Sequence, residues 1–116
     1  MTFLIVDDSK IARKKLSSFI ENLGHQVLAD AGDGAEAIEK FEKYRPDCIT
    51  MDLEMPKMKG DAAAKKILEI DESVKILLIT SIVDKKEVLK SLKLGVYKVL
   101  QKPISQSDFA EAITEL

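Results

Sequence analysis

Several short apolar runs in this chain of 116 residues end in side chains suited to phosphate chemistry. Asp7 and Asp8 follow the run FLIV, and Asp52 follows CITM. Thr80 and Ser81 close ILLITS, and Lys102 with Pro103 follows KVLQ. Three carboxylates held together repel, and at least one stays protonated unless a cation joins them. A hard, oxygen-seeking divalent ion such as Mg²⁺ resolves that conflict and leaves positions open for water and phosphate. Lys102 and the Thr80 hydroxyl then offer a positive charge and a hydrogen bond to phosphate oxygens. A carboxylate nucleophile, a metal and a lysine are the parts needed to form an aspartyl phosphate. Taken singly, each aspartate reads as a turn or cap residue, where Asp is common. Independent turn residues have no reason to converge with a lysine.

The elements that must position these groups alternate in texture. Runs at 2–6, 26–31, 48–51, 75–80 and 98–101 read as strands. FLIV and ILLI are apolar on consecutive positions, which suits strands covered on both faces. The second and fifth runs are mixed and suit sheet edges. Helical spacing lies between them. Ala12, Leu16, Phe19, Ile20 and Leu23 form one stripe, stopped by Gly24. Ala37, Ile38 and Phe41 form a second, entered through Asp33 and Gly34, and Ala63, Ile67 and Ile70 a third. Asp84 with Glu87 predicts a capping-box start for a fourth, carrying Val88, Leu89 and Leu92 and ending at Gly95. Ser105 caps a fifth, with Phe109, Ala112, Ile113 and Leu116 on one face. Five strand–helix repeats imply a parallel α/β sheet with helices on both faces. Ligands in such sheets sit beyond the carboxyl ends of the strands, where Asp7, Asp8, Asp52, Thr80 and Lys102 all fall.

Composition narrows the remaining classes. The length suits one domain with a core of its own. One cysteine excludes an internal disulfide and suggests a reducing compartment. No run approaches a membrane span, and the N-terminus lacks a signal-peptide layout, so a cytoplasmic protein is expected. With 18 basic and 20 acidic residues the net charge is −2, too balanced for bulk electrostatic binding of nucleic acid.

The segments FLIVDDS (3–9), DGAEAIEKF (33–41), PDCITMDLEMPKMKG (46–60), ILLITS (76–81) and the Lys102–Pro103 pair make the chain resemble a response-regulator receiver domain. This is the phosphorylatable module of two-component signalling, and the likeness is to chemotaxis-type single-domain regulators. It covers essentially the whole chain, read as one receiver domain over 1–116. The resemblance implies a flavodoxin-like (βα)5 sandwich with strand order 2-1-3-4-5. It implies Asp52 as phosphoacceptor, and Asp8 and Asp52 as side-chain metal ligands completed by the backbone carbonyl of Glu54. Asp7 becomes the outer acid holding metal-bound water, Thr80 the switch hydroxyl, and Lys102 the phosphate-pairing lysine. Pro103 falls at the family's frequent cis-proline position, and Met55, Pro56 and Gly60 match the loop after the acceptor. The implied cofactor is Mg²⁺, with Mn²⁺ as a substitute. The implied partners are a sensor histidine kinase or phosphotransfer protein, and an output protein on the face of the fourth helix, fifth strand and fifth helix. No direct nucleic-acid binding and no membrane insertion are implied. Catalysis is confined to the domain's own phosphorylation and dephosphorylation.

Some positions depart from the family or invite other readings. Receivers usually carry Phe or Tyr where this chain has Val99. Tyr97 lies two residues earlier, and strand residues two apart share a face. It is therefore a candidate stand-in, beside its plainer reading as an edge-strand aromatic. Lys98 stands where many relatives have an acid. Glu54 and Ile82 flank the expected path of attacking water, and bulky Ile82 implies a long-lived phosphoryl group. Lys10, Arg13, Lys14 and Lys15 read as a solvated basic helix face. His25 lacks a second ligand at metal spacing, and Cys48 reads as a buried small hydrophobe. Met51, Met55 and Met58 read as packing and loop residues, and Asp30 and Asp33 as turn residues. Two rival functions remain open at this level. An aspartate-nucleophile phosphohydrolase would carry Asp-x-Asp, whereas this chain reads Asp52-Leu53-Glu54 and has no room for a cap domain. A non-phosphorylated pseudo-receiver scaffold would not require all the site side chains that are present. A flavin site is disfavoured, because no Ser/Thr/Gly phosphate loop follows the first strand.

Overall fold

Apolar residues on consecutive positions need cover on both sides. The computed structural model, which describes residues 1–81 and 84–116, supplies it. Strands β1 (Thr2–Val6), β2 (Gln26–Ala31), β3 (Cys48–Asp52), β4 (Lys75–Thr80) and β5 (Lys98–Gln101) alternate with helices. These are α1 (Lys10–Asn22), α2 (Gly34–Tyr44), α3 (Gly60–Ile70), α4 (Lys85–Leu94) and α5 (Gln106–Ala112). The strands form one parallel sheet in the order β2-β1-β3-β4-β5. β2 and β5 are the edges, as their mixed composition predicts. Among the described residues, no helix is long and apolar enough to cross a membrane.

Each central strand feeds two layers by the two-residue alternation of its side chains. Leu4, Val6, Ile49, Met51, Ile76 and Leu78 pack with α2 and α3 through Ala37, Phe41, Ala63, Ala64 and Ile67. Phe3, Ile5, Cys48, Leu77 and Ile79 pack on the other side with α1 and α5, through Leu16, Ile20, Phe109 and Ile113. Fully burying a Leu, Ile or Phe side chain contributes about 1.5–3 kcal/mol, so these two layers dominate the favourable side of folding.

The helices start and stop where their caps say. Ser9, Asp33 and Ser105 each accept a hydrogen bond from the backbone N–H three residues on, at 3.2, 2.8 and 3.0 Å. Gly24 and Gly95 take left-handed φ values of 84° and 105° after α1 and α4, where a side chain would be strained. Three helical expectations need correction. Ile70 is 39% exposed, and Ala64 takes the inward place on α3 instead. Asp84 caps α4 through the N–H of Lys86, two residues on, rather than that of Glu87. The α4 stripe is not core at all: Leu89 is 57% and Leu92 43% exposed, and Ser91 is the helix's buried residue.

Gly60 opens α3 directly beneath β3. A Cβ there would overlap the backbone oxygen of Asp52 and lie 2.9 Å from Leu53 Cα, both fixed backbone. Replacing Gly60 with Ala is expected to cost about 2–4 kcal/mol of unfolding free energy. In Gly32→Ala the new methyl would rest 3.6 Å from Arg13 Nη1, an ordinary contact, and the change should stay within about 0.5 kcal/mol. Urea denaturation of both variants checks this, and equal losses would contradict the close approach at Gly60.

Candidate functional site

Parallel register brings the strand ends together. Val6 lies beside Met51, Asp52 beside Ile79, and Thr80 beside Gln101. The residues that follow therefore meet on one rim. Carboxylate oxygens of Asp7, Asp8 and Asp52 all lie within 4.8 Å of one another. Asp7 and Asp52 are both 2% exposed, while Asp8 is open to solvent. Lys102 reaches in from the end of β5, its Nζ 3.2 Å from Asp52 Oδ1 and 3.6 Å from Asp7 Oδ2. Its backbone N–H donates to the Thr80 carbonyl at 2.8 Å, and the Lys102–Pro103 peptide is cis as the resemblance implies.

The electrostatics of this cluster are unbalanced. Burial, then the negative charge of Asp7, pushes the Asp52 carboxyl up to about 6, against the pull of Lys102. Burial disfavours the Lys102 ammonium, yet the attraction of Asp52 and then Asp7 outweighs it and holds that group above its ordinary value. One ammonium shared between two buried acids stabilises itself more than it satisfies either acid. Three neighbouring carboxylates, Asp52 among them and under-compensated, are a donor set that fits a hard divalent cation.

The surrounding contacts extend beyond what the sequence suggests. The Asp7 carboxylate accepts from the Ser9 N–H at 2.8 Å. Arg13 does not join a solvated patch. Its Nη1 donates to the Asp7 carbonyl at 2.6 Å and its Nε to Asp30 Oδ2 at 2.9 Å, tying α1 to the ends of β1 and β2. Asp30 is thus an ion-pair partner within β2, paired with Ile5, rather than the expected turn residue. No local signal marked either residue, because a basic side chain four positions past an N-cap looks the same whether solvated or drawn inward. Glu54 also makes contacts that the sequence does not foreshadow. Its N–H donates to Asp52 Oδ1 at 3.2 Å, and its carboxylate accepts from the Thr80 hydroxyl at 2.6 Å. The acids and Lys102 thus form one group around Asp52, while Thr80 is engaged by Glu54.

The shared face on which a stand-in role for Tyr97 rests is not there. β5 begins at Lys98, and the alternation breaks before it: Tyr97 packs with the α1/α5 layer, Val99 with the α2/α3 layer. The Tyr97 ring instead has the ammonium groups of Lys75 and Lys98 at 5.8 and 5.6 Å. Cys48 is buried as expected, and burial pushes its thiol up to about 11, so it is inert as a nucleophile. The water-path expectation for Ile82 lies outside the described residues.

A five-stranded doubly wound sheet with an acid cluster and a lysine at its carboxyl rim defines the receiver class of signalling domain, and the comparisons agree. The response regulator receiver domain family matches residues 3–114, and the chain belongs to that family. It is 35% identical over 113 residues to the chemotaxis protein CheY of Thermotoga maritima, covering 97% of this chain and 94% of that one. It is 33% identical to the CheY of Bacillus subtilis, with 97% and 93% covered. Among solved structures it resembles the CheX–CheY–BeF3–Mg²⁺ complex from Borrelia burgdorferi. There the TM-score is 0.95 at 28% identity, over 97% of this chain and 86% of that one. The chain is therefore a CheY-like receiver, a module of phosphorylation-controlled signalling.

The raised Asp52 value carries a sign that can be measured. A carboxyl at about 6 when folded and near 3.8 when unfolded binds its proton more tightly in the folded state. Without metal, stability should fall as pH rises through that window. Asp52→Asn removes the penalty. In chelator it should be more stable than wild type by about 1–3 kcal/mol above pH 7, with the gain fading below pH ~4. Urea unfolding across pH 4–8 checks this, and a variant less stable than wild type at pH 7.5 would contradict it.

Proposed function

We propose that Asp52 accepts a phosphoryl group from a phosphohistidine of a sensor histidine kinase or phosphotransfer protein, and that this reshapes a partner-binding face. The carrying observation is the position of Asp52. Its buried carboxylate shares a cluster with those of Asp7 and Asp8, and the Lys102 ammonium, which also neighbours Asp7, lies 3.2 Å from it. Asp8, Asp52 and the backbone of Glu54 would hold Mg²⁺, for which Mn²⁺ can substitute, with Asp7 as the outer acid. When bound, that ion neutralises charge on the carboxylates and on phosphoryl oxygens.

An Asp52 oxygen attacks phosphorus, the P–N bond to the donor imidazole breaks, and the imidazole leaves. Phosphoryl transfer is loose, so the protein chiefly positions groups and offsets charge. Lys102 already lies beside Asp52 and needs little movement to pair with a phosphoryl oxygen. The acyl phosphate carries about −1.5 to −2 of charge where the Asp52 carboxylate carried −1. Thr80, at the end of β4, then turns to donate to it. The face of α4, β5 and α5 shifts between two populated states, and the output partner selects one. Exposed Leu89 and Leu92 on α4 support that face as the docking surface, since they cover no core of their own. Catalysis stays confined to the domain's own phosphorylation and its hydrolysis. A phosphohydrolase reading gains nothing from Glu54, whose carboxylate is taken up by Thr80 and Ser81.

Wild type should take up phosphate from acetyl phosphate in a Mg²⁺-dependent manner, to about one equivalent, and Asp52→Asn should take up none. Stoichiometric labelling of Asp52→Asn by intact-mass spectrometry would sink the assignment. A pull-down with and without beryllofluoride plus Mg²⁺ should enrich a partner only in the loaded form, with loss on Leu89→Asp placing it on α4.

A further inference from the structure

The Glu54 side chain has no part in the chemistry above, although its backbone is bonded to the acceptor through the N–H···Oδ1 contact with Asp52. A single oxygen, Oε1, accepts from the Thr80 hydroxyl at 2.6 Å, the Ser81 N–H at 3.2 Å and the Ser81 hydroxyl at 3.3 Å. The first has the short length of a charge-assisted O–H···O⁻ bond. Burial raises the proton affinity of this carboxyl. The bond from Thr80, then those involving Asp52 and the backbone, outweigh it and hold the group below the usual Glu value. Thr80 is 3% exposed, so water competes poorly for it. A hydroxyl has one proton to donate. While Thr80 gives it to Glu54, it cannot give it to a phosphoryl oxygen on Asp52.

We infer that Glu54 is a positioning residue that latches Thr80 in the unphosphorylated protein, and that breaking this bond is part of switching. The inference rests on the reading of Asp52 and Thr80 proposed above. Its direction follows from charge. Phosphorylation replaces the single negative charge of the Asp52 carboxylate with about −1.5 to −2, raising the negative charge beside Glu54. Repulsion then pushes the Glu54 carboxylate away at the moment a second acceptor appears. Until that moment, the Glu54 bond opposes any spontaneous swing of Thr80 towards the acceptor. The free energy of the latch is subtracted from what a phosphoryl group gains by capturing Thr80, so the residue sets how quiet the resting state is.

Beryllofluoride with excess Mg²⁺ is the probe, titrated into wild type, Glu54→Ala, Thr80→Ala and the double variant. Amide NMR reads the apparent Kd, and urea unfolding confirms that each variant is folded. Glu54→Ala should bind about tenfold more tightly than wild type, the effect of losing one charge-assisted hydrogen bond from the resting state. Before any beryllofluoride is added, its Thr80 and Ser81 amide signals should move towards their positions in loaded wild type. In the Thr80→Ala background the gain should shrink to less than about twofold. Glu54→Gln, which keeps an acceptor oxygen but not the charge, should fall between and serves if the alanine variant does not fold. Equal tightening with and without Thr80 would mean that only charge near the acceptor was removed, and would overturn the latch. So would no tightening in a folded Glu54 variant. Failure of wild type to take up beryllofluoride would remove the reading of Asp52 and the latch with it. Normal uptake without coupling would remove the latch alone.

Discussion

Two buried acids share one ammonium. Asp7 and Asp52 lie almost out of solvent at adjacent strand ends, and Lys102 reaches both. Ionised carboxylates in that setting cost free energy that a single lysine does not recover, which is why Asp52 holds its proton to about 6. The rest of the fold serves this uneasy arrangement. The two hydrophobic layers clamp β1 and β3 side by side and so keep the acids close against their repulsion. Arg13 ties down the Asp7 carbonyl, and Gly60 lets α3 begin against the carbonyl of Asp52. The site is stable enough to exist and poor enough in positive charge to be receptive to cations.

The same imbalance explains the division of labour on the rim. On one side of Asp52 stand groups that want more positive charge. Beyond it, Glu54 and Thr80 form a satisfied pair with no such demand. A phosphoryl group would relieve neither side by itself, since it adds negative charge to both. On the proposed reading it would supply a second acceptor, and the rearrangement would be a contest between acceptors for a limited number of donors.

Much of this was legible in the sequence, for a physical reason. Strands covered on both faces must be apolar at consecutive positions, so FLIV and ILLI announce themselves. Parallel strands need crossovers, and the carboxyl ends then meet by topology, which placed Asp7, Asp8, Asp52, Thr80 and Lys102 before any coordinates. Periodicity served less well where a helix packs on one side only through a small residue. Leu89 and Leu92 have core spacing on α4 yet face outward, and Ser91 lies within. Side-chain reach was not legible at all. Whether Arg13 turns to solvent or to Asp30, and whether Glu54 turns to Thr80, depends on partners distant in sequence. Tyr97 misled because two-residue alternation was extended one position beyond the strand that enforces it.

The exposed stripe of α4 has a thermodynamic meaning of its own. Helices α2, α3 and α5 are held to the sheet by buried apolar side chains, Phe41, Ile67 and Phe109 among them, and disturbing them would cost a large share of the domain's modest stability. α4 hangs on a single enclosed serine. It forms the soft end of the free-energy spectrum, an element that can tilt or fray in isolation while both cores stay shut. Moving that one helix would leave both hydrophobic layers packed.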